Sequence, residues 1–182
     1  MKSYNSVLDY PKNQPSVVTI GSFDGVHLGH QEILKQLQQI AENEHLHAVL
    51  LTFYPHPRSV VQAHNPVQIL TPLAEKKAKI AAIGIQNLVV HPFTKAFSRL
   101  TAREYVKSIL VDGLQAKKII IGYDHRFGRN RTANLETLKE FGVEFDFEVV
   151  EIPAHQINQV AISSTKIRQA LLNGQIEKAT HY

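Results

Sequence analysis

The sequence predicts a doubly wound α/β domain, a parallel sheet of about five strands with helices on both faces, and three observations carry that expectation. Short apolar runs suited to buried strands alternate along the chain with stretches of helical periodicity. The chain has 182 residues, 43% of them hydrophobic, enough for one well-buried domain and too few for two of ordinary size. Cap and turn residues such as Gly21, Thr101 and Gly174 fall between the runs.

The first strand is predicted at residues 17–20, where Val17, Val18 and Ile20 are apolar. A helix follows, since Ile33, Leu34, Leu37, Ile40 and Ala41 share one face. The second strand is predicted at 48–53, and the proline-bearing stretch 54–69 after it is the longest loop. Thr71-Pro72 reads as a cap with proline at the first helical position, and Gly84 as the end of that helix. After a third strand at 87–91, Thr101 and Glu104 form a capping box; Tyr105, Val106, Ile109 and Leu110 make the buried stripe, and Gly113 is expected just past the end. A fourth strand is predicted at 118–121 and a second loop at 128–134. Between 143 and 149 apolar Val143, Phe145, Phe147 and Val149 alternate with Glu144, Asp146 and Glu148, which predicts a last strand at 145–151 on the sheet edge. Ser163 opens the final long helix, with Ile167, Ala170 and Leu171 as its apolar stripe and Gly174 as its end, and 175–180 reads as another short helix.

Composition excludes several classes. Twenty basic against sixteen acidic residues give a formal charge of +4, and no run of five like charges occurs, so no nucleic-acid tail is expected. There is no cysteine, hence no disulfide framework and no thiol chemistry. The first six residues lack the apolar core of a signal peptide, and no apolar run approaches the ~18 residues of a membrane span. The expectation is a soluble, cytoplasmic protein without a membrane partner.

The most informative stretch is residues 19–30, Thr-Ile-Gly-Ser-Phe-Asp-Gly-Val-His-Leu-Gly-His, which joins the first strand to the first helix. Helix N-termini leave N–H groups without intrahelical partners, and the macrodipole favours an anion there. Gly25 and Gly29 remove side chains where a phosphate would come close, and His27 and His30 share a face. Metal ligation is the other reading of His-x-x-His, but zinc needs at least three protein ligands and no compact cluster supplies a third. The dinucleotide and Walker glycine fingerprints are absent.

His27-Leu28-Gly29-His30 on a strand-to-helix turn resembles the signature of the nucleotidylyltransferase superfamily. Residues 51–58 (Leu-Thr-Phe-Tyr-Pro-His-Pro-Arg), 121–128 (Ile-Gly-Tyr-Asp-His-Arg-Phe-Gly) and 162–168 (Ile-Ser-Ser-Thr-Lys-Ile-Arg) narrow the likeness. Together these motifs resemble the FMN adenylyltransferase (FAD synthetase) module of the prokaryotic bifunctional riboflavin kinase/FMN adenylyltransferases, over residues 17–179. The resemblance implies a Rossmann-like sheet of nucleotidylyltransferase type, and adenylyl transfer from ATP to FMN giving FAD and pyrophosphate.

It implies further that Gly21, Ser22, Phe23, Asp24, Gly25, His27, Gly29, His30, Ser163, Ser164, Thr165 and Arg168 bind ATP, with His27, His30 and Arg168 catalytic. Pro55, His56, Pro57, Arg58, Asp124, Arg126 and Phe127 would form the FMN side, with Phe127 packing on the isoalloxazine. Asp124 would meet Mg2+ through the phosphates. His125 and Ala133 depart from the family pattern, which has Phe and Gly there. The family carries a riboflavin kinase module after this one; the chain stops at Tyr182 without room for it, so residues 1–182 are expected to be a single adenylyltransferase domain. The open alternatives are an adenylyl- or cytidylyltransferase for another phosphorylated acceptor and a nonenzymatic nucleotide- or RNA-binding module.

Overall fold

A sheet whose strands are apolar on both faces must be covered on both, and the buried residues divide accordingly. The computed structural model describes residues 1–62, 64–122, 125–152 and 162–182. The strands are β1 (Lys2–Tyr4), β2 (Ser16–Ile20), β3 (His47–Tyr54), β4 (Asn87–Pro92), β5 (Ala116–Gly122) and β6 (Glu148–Ile152). They form one sheet in the order β1-β4-β3-β2-β5-β6, every pairing parallel. Val17, Ala48, Leu50, Leu88 and Ile120 pack on one face with Leu34, Leu37 and Ile80 from α1 (Leu28–Asn43) and α3 (Leu73–Ile83). Val18, Val49, Leu51, Val89, Ile119 and Ile121 pack on the other, with Tyr105, Val106, Leu110 and Leu138.

The doubly wound fold is as the sequence predicts, with six strands where about five were expected. β1 escapes periodicity because it is three residues of polar edge; its register on Asn87–Val89 supplies the pairing. The last strand was expected from Phe145, but β6 begins only at Glu148, and Phe145 and the two residues before it close α6 (Leu135–Phe145). There the helical spacing of Leu138, Phe141, Gly142 and Phe145 overrides the period-2 pattern, and the chain turns through left-handed Asp146 (φ 59) before β6. β6 is an edge strand, as expected, pairing with β5 alone.

Two caps differ from expectation. Pro72 stands at the cap of α3 without a side-chain bond, because Thr71 turns inward; Gly84 does end that helix, in the left-handed region (φ 98). The Thr101–Glu104 capping box is present at α4 (Ala102–Tyr105), but the helix runs on through a π-helical stretch (Val106–Val111) and α5 (Asp112–Leu114). Gly113 thus lies inside it, where a Cβ would stand 3.0 Å from the Ser108 carbonyl and 3.2 Å from Val7 Cβ. Gln115 (φ 53) ends the helix instead. On α7 (Ser164–Leu172), Ile167 and Ala170 are buried, whereas Leu171 is 43% exposed and does not belong to the stripe.

From β2 the chain adds β3 and β4 on one side, then crosses to lay β5 and β6 on the other. Strand order therefore reverses between β2 and β5, and ligands in open α/β sheets lie beyond the carboxyl ends of the strands at such a reversal.

Candidate active site

The turn leaving β2 is held in a shape few sequences adopt. Phe23 (φ 47), Gly25 (φ 90) and Val26 (φ 45) are all left-handed, and the buried Phe23 ring fills the turn from beneath. A Cβ at Gly21 would meet that ring at 2.9 Å, so glycine there is what lets the ring lie under the backbone. The turn delivers His27 as the N-cap of α1 (φ −65, ψ 170), its Nδ1 accepting from the His30 backbone N–H at 3.3 Å.

The two imidazoles stack, with ring centres 3.6 Å apart and planes 15° from parallel, and Phe23 lies 4.7 Å from the His30 ring. His27 is 8% exposed. Burial pulls its pKa down to about 4 against the smaller opposing effects of a backbone hydrogen bond and Asp24. His30 is pushed well below its ordinary value by burial first, then by His27 and Lys76. Both rings are therefore neutral at pH 7, and since Nδ1 of His27 accepts, its proton sits on Nε2. The Nδ1 atom of His30 is buried with no hydrogen-bond partner among the described residues. Not every amide of the first turn is left for a ligand: the Leu28 N–H donates to the Tyr182 carbonyl at 2.9 Å.

Asp24 is the hub of the site. Its carboxylate, 2% exposed, accepts from the Leu70 amide at 3.0 and 3.1 Å and the Thr71 amide at 3.0 Å, and pairs with the Arg168 guanidinium. Arg168 Nε donates to the Gln68 carbonyl at 2.6 Å, and the Ser164 hydroxyl to the Asp24 carbonyl at 2.8 Å. The start of α7 is thereby fastened to the β2–α1 turn and to the segment before α3. Ser163 caps α7 by accepting from the Lys166 amide at 3.3 Å, and Thr165 is exposed on its first turn.

Sequence reasoning missed Lys76. It lies on α3, 7% exposed, with Nζ 2.9 Å from the Ser22 carbonyl and 3.5 Å from Thr52 Oγ1. The available signal was a lysine on the inward stripe of α3, between Leu73 and buried Ile80.

The residues expected on the flavin side are placed unequally. Pro55 is exposed just past β3, His56 caps α2 (Pro57–Val61) by accepting from the Arg58 amide at 3.2 Å, and Pro57 opens that helix. His56 is half-buried, and its pKa is lowered by burial first; Asp24, Arg168, Lys76 and Arg58 all act on it, which puts it in the field of the hub. Arg58 is exposed, its Nε 3.4 Å from Gln62 Oε1. Arg126 is exposed. Phe127 is a core residue, 5.9 Å from the Tyr105 ring and bridged through its backbone to Ala133, so its ring is scaffold rather than a free stacking surface. Its neighbour His125 lies 6.0 Å from it, the rings nearly parallel. Asp124 lies outside the described residues.

Among the described residues no group of three or more His, Cys, Asp or Glu is placed to hold a metal ion, and the Asp24 carboxylate is committed to Arg168.

A crystal structure described as a macrolide-efflux protein from Streptococcus pneumoniae superimposes with a TM-score of 0.80 at 32% identity, over 98% of this chain and 58% of that one. The chain is 40% identical over 168 residues to the bifunctional riboflavin kinase/FMN adenylyltransferase of Buchnera aphidicola subsp. Schizaphis graminum, covering 92% of this chain and 54% of the relative. It is 35% identical over 169 residues to the FAD synthetase of Listeria monocytogenes serovar 1/2a, covering 92% and 68%. It spans about half the length of the bifunctional relatives it matches. The FAD synthetase family model matches residues 9–166, a span that runs from before β2 through the histidine turn, the Asp24 hub and the first turn of α7. By that match, and by relatives aligned along nine-tenths of its length, the chain belongs to the FAD synthetase family.

Proposed function

We propose that the chain transfers the adenylyl group of ATP to the phosphate of FMN, forming FAD and releasing pyrophosphate. The observation that carries this is the stacked, buried, neutral pair His27–His30 on the turn where strand order reverses, in a chain of this family. An FMN phosphate oxygen attacks the α-phosphorus in line, the new P–O bond forming as the bond to the pyrophosphate oxygen breaks. No covalent enzyme intermediate is needed, so positioning and charge stabilisation supply the rate.

His27 offers its Nε2–H, in a tautomer set beforehand by the cap bond, to the oxygens that gain charge as pyrophosphate leaves. Thr165 presents a hydroxyl at the start of α7, Ser164 holds that start against the turn through its bond to the Asp24 carbonyl, and Gly21, Ser22, Asp24, Gly25 and Gly29 shape the backbone around the phosphates. Arg168 serves first by holding Asp24, which keeps the turn and α7 together. Pro55, His56, Pro57, Arg58, Asp124 and Arg126 form the flavin side, with Phe127 packed behind them. Magnesium entering with ATP would neutralise phosphate charge. We place the reaction in the cytoplasm, where ATP is made available; no helix among the described residues is long and apolar enough to cross a membrane.

The test is incubation with ATP, Mg2+ and FMN and chromatographic detection of FAD and pyrophosphate. Nicotinamide mononucleotide and phosphopantetheine in place of FMN are expected to give no adenylylated product. Bound ATP without FAD formation, or preference for another acceptor, would overturn the proposal.

A further inference from the structure

Lys76 is a buried ammonium in an unusual setting. Its Nζ meets two neutral oxygens, the Ser22 carbonyl at 2.9 Å and Thr52 Oγ1 at 3.5 Å. None of the ion pairs among the described residues includes it, and the nearby Asp24 carboxylate is taken by Arg168. Burying a charge without a counter-charge is costly, and a methionine or leucine would fill this place on α3 with no such cost. Nor is the ammonium needed merely to satisfy Ser22, because the Thr52 hydroxyl already donates to the same carbonyl at 3.2 Å. The charge itself therefore calls for a role.

Several groups feel it. Ser22 belongs to the turn that carries His27, so the ammonium fastens α3 to that turn. His30 and His56 are both within its electrostatic reach, His30 is also acted on by His27 in the stack, and the Asp24 carboxylate acts on His27, His56 and Lys76. An arriving polyphosphate draws protons onto any imidazole near it, and a protonated ring in a stack 3.6 Å deep would repel its neighbour on protonation in turn and lose the preset tautomer. A fixed cation bonded to the turn that carries the stack opposes that.

We propose that Lys76 is a positioning residue for the adenylyl transfer: its buried ammonium anchors the Ser22 carbonyl and so fixes a positive charge on the turn that carries the stacked imidazoles, which then meet the triphosphate uncharged. The proposal rests on the adenylyl-transfer reading of the site. Burial lowers the affinity of Lys76 for its proton and the Asp24 carboxylate restores part of it, which fits an ammonium held charged by a carboxylate near it that is paired with Arg168.

The test compares the parent with Lys76→Met and Lys76→Arg. In the pH profile of kcat/KM for FAD formation, Lys76→Met should move the acid limb upward by roughly one pH unit, the usual effect of removing one nearby charge, and Lys76→Arg should restore it. Substrate phosphates titrate alike in all three proteins, so the displacement reads the protein. An acid limb unmoved in Lys76→Met, with only kcat and Tm lowered, would reduce Lys76 to a packing role and overturn the proposal. NMR titration of the His30 ring without substrate gives a readout independent of activity, in Lys76→Gln should the methionine variant not fold. His30 protonating at higher pH than in the parent supports the proposal, and an unchanged titration overturns it. The same spectra decide it even if the parent makes no FAD, a result that would sink the adenylyl-transfer reading alone.

Discussion

Acidification should loosen this fold well before its carboxylates titrate, and His27 sets the size of the effect. Its pKa is about 4 in the folded protein against an ordinary 6.5, with burial the larger cause. The unfolded chain thus takes up the proton first, and stability that is complete above pH 6.5 is lost as the pH falls from there toward 4, with no further change below. Linkage puts the loss from His27 at about 2 kcal/mol by pH 5 and about 3 kcal/mol at the acid limit. His30, His56 and His91, all lowered by burial, act in the same direction. With a urea slope of roughly 2 kcal/mol/M, the His27 share alone moves the unfolding midpoint down by about 1 M between pH 7 and pH 5. Circular dichroism during urea unfolding at the two pH values measures this, with His27→Asn as the control. Asparagine keeps a cap acceptor for α1 and cannot titrate, so the variant should lose about 2 kcal/mol of the pH sensitivity. A variant as pH-sensitive as the parent, or a His27 ring titrating near 6.5 by NMR, would refute the reasoning.

The remaining expectations concern the site. His27→Ala and His30→Ala should each cut turnover in FAD formation by ~10²–10³-fold while ATP binding falls much less, and near-normal turnover in either would remove that ring from the reaction. Asp24→Ala leaves the Arg168 guanidinium without its counter-charge and the Leu70 and Thr71 amides without their acceptor, so denaturation should show a loss of roughly 3–5 kcal/mol. A loss below about 1 kcal/mol would show that the hub is not a stability determinant. Arg168→Lys should fall in the same assay despite its retained charge, because one ammonium cannot serve both the Gln68 carbonyl and the Asp24 carboxylate as the guanidinium does.

The parts legible in the sequence were those in which local pattern and final structure obey one rule. β2 through β5 are apolar runs buried on both faces, and the His27–His30 turn follows such a run and opens a helix. The family motifs were easy to place because each lies at a strand end or a helix start. Illegible were contacts made at a distance. Nothing near Asp24 says that its carboxylate faces Arg168, 144 residues away, or that Arg168 is spent on that pairing. Lys76 reads as one more helix-surface lysine until its neighbours on the stripe are seen to be inside. α6 was hidden by a true alternation of apolar and acidic residues, overridden by the helical face built on Leu138 and Gly142. Phe127 carried the right motif, yet packing against the Tyr105 side of the sheet sets its surroundings.

The Asp24 hub also sets the order in which the site can come and go. One carboxylate joins segments 46 and 144 residues away along the chain, and it cannot stay buried once the guanidinium of α7 departs. Lifting that helix away and releasing the Leu70–Thr71 segment are therefore a single opening event. The amides of Leu70 and Thr71 should exchange with solvent at the rate of those in α7, and clearly separate rates would show two independent motions. During synthesis the same bond makes the histidine turn wait: its scaffold is complete only after Arg168 has left the ribosome and found a partner made long before it.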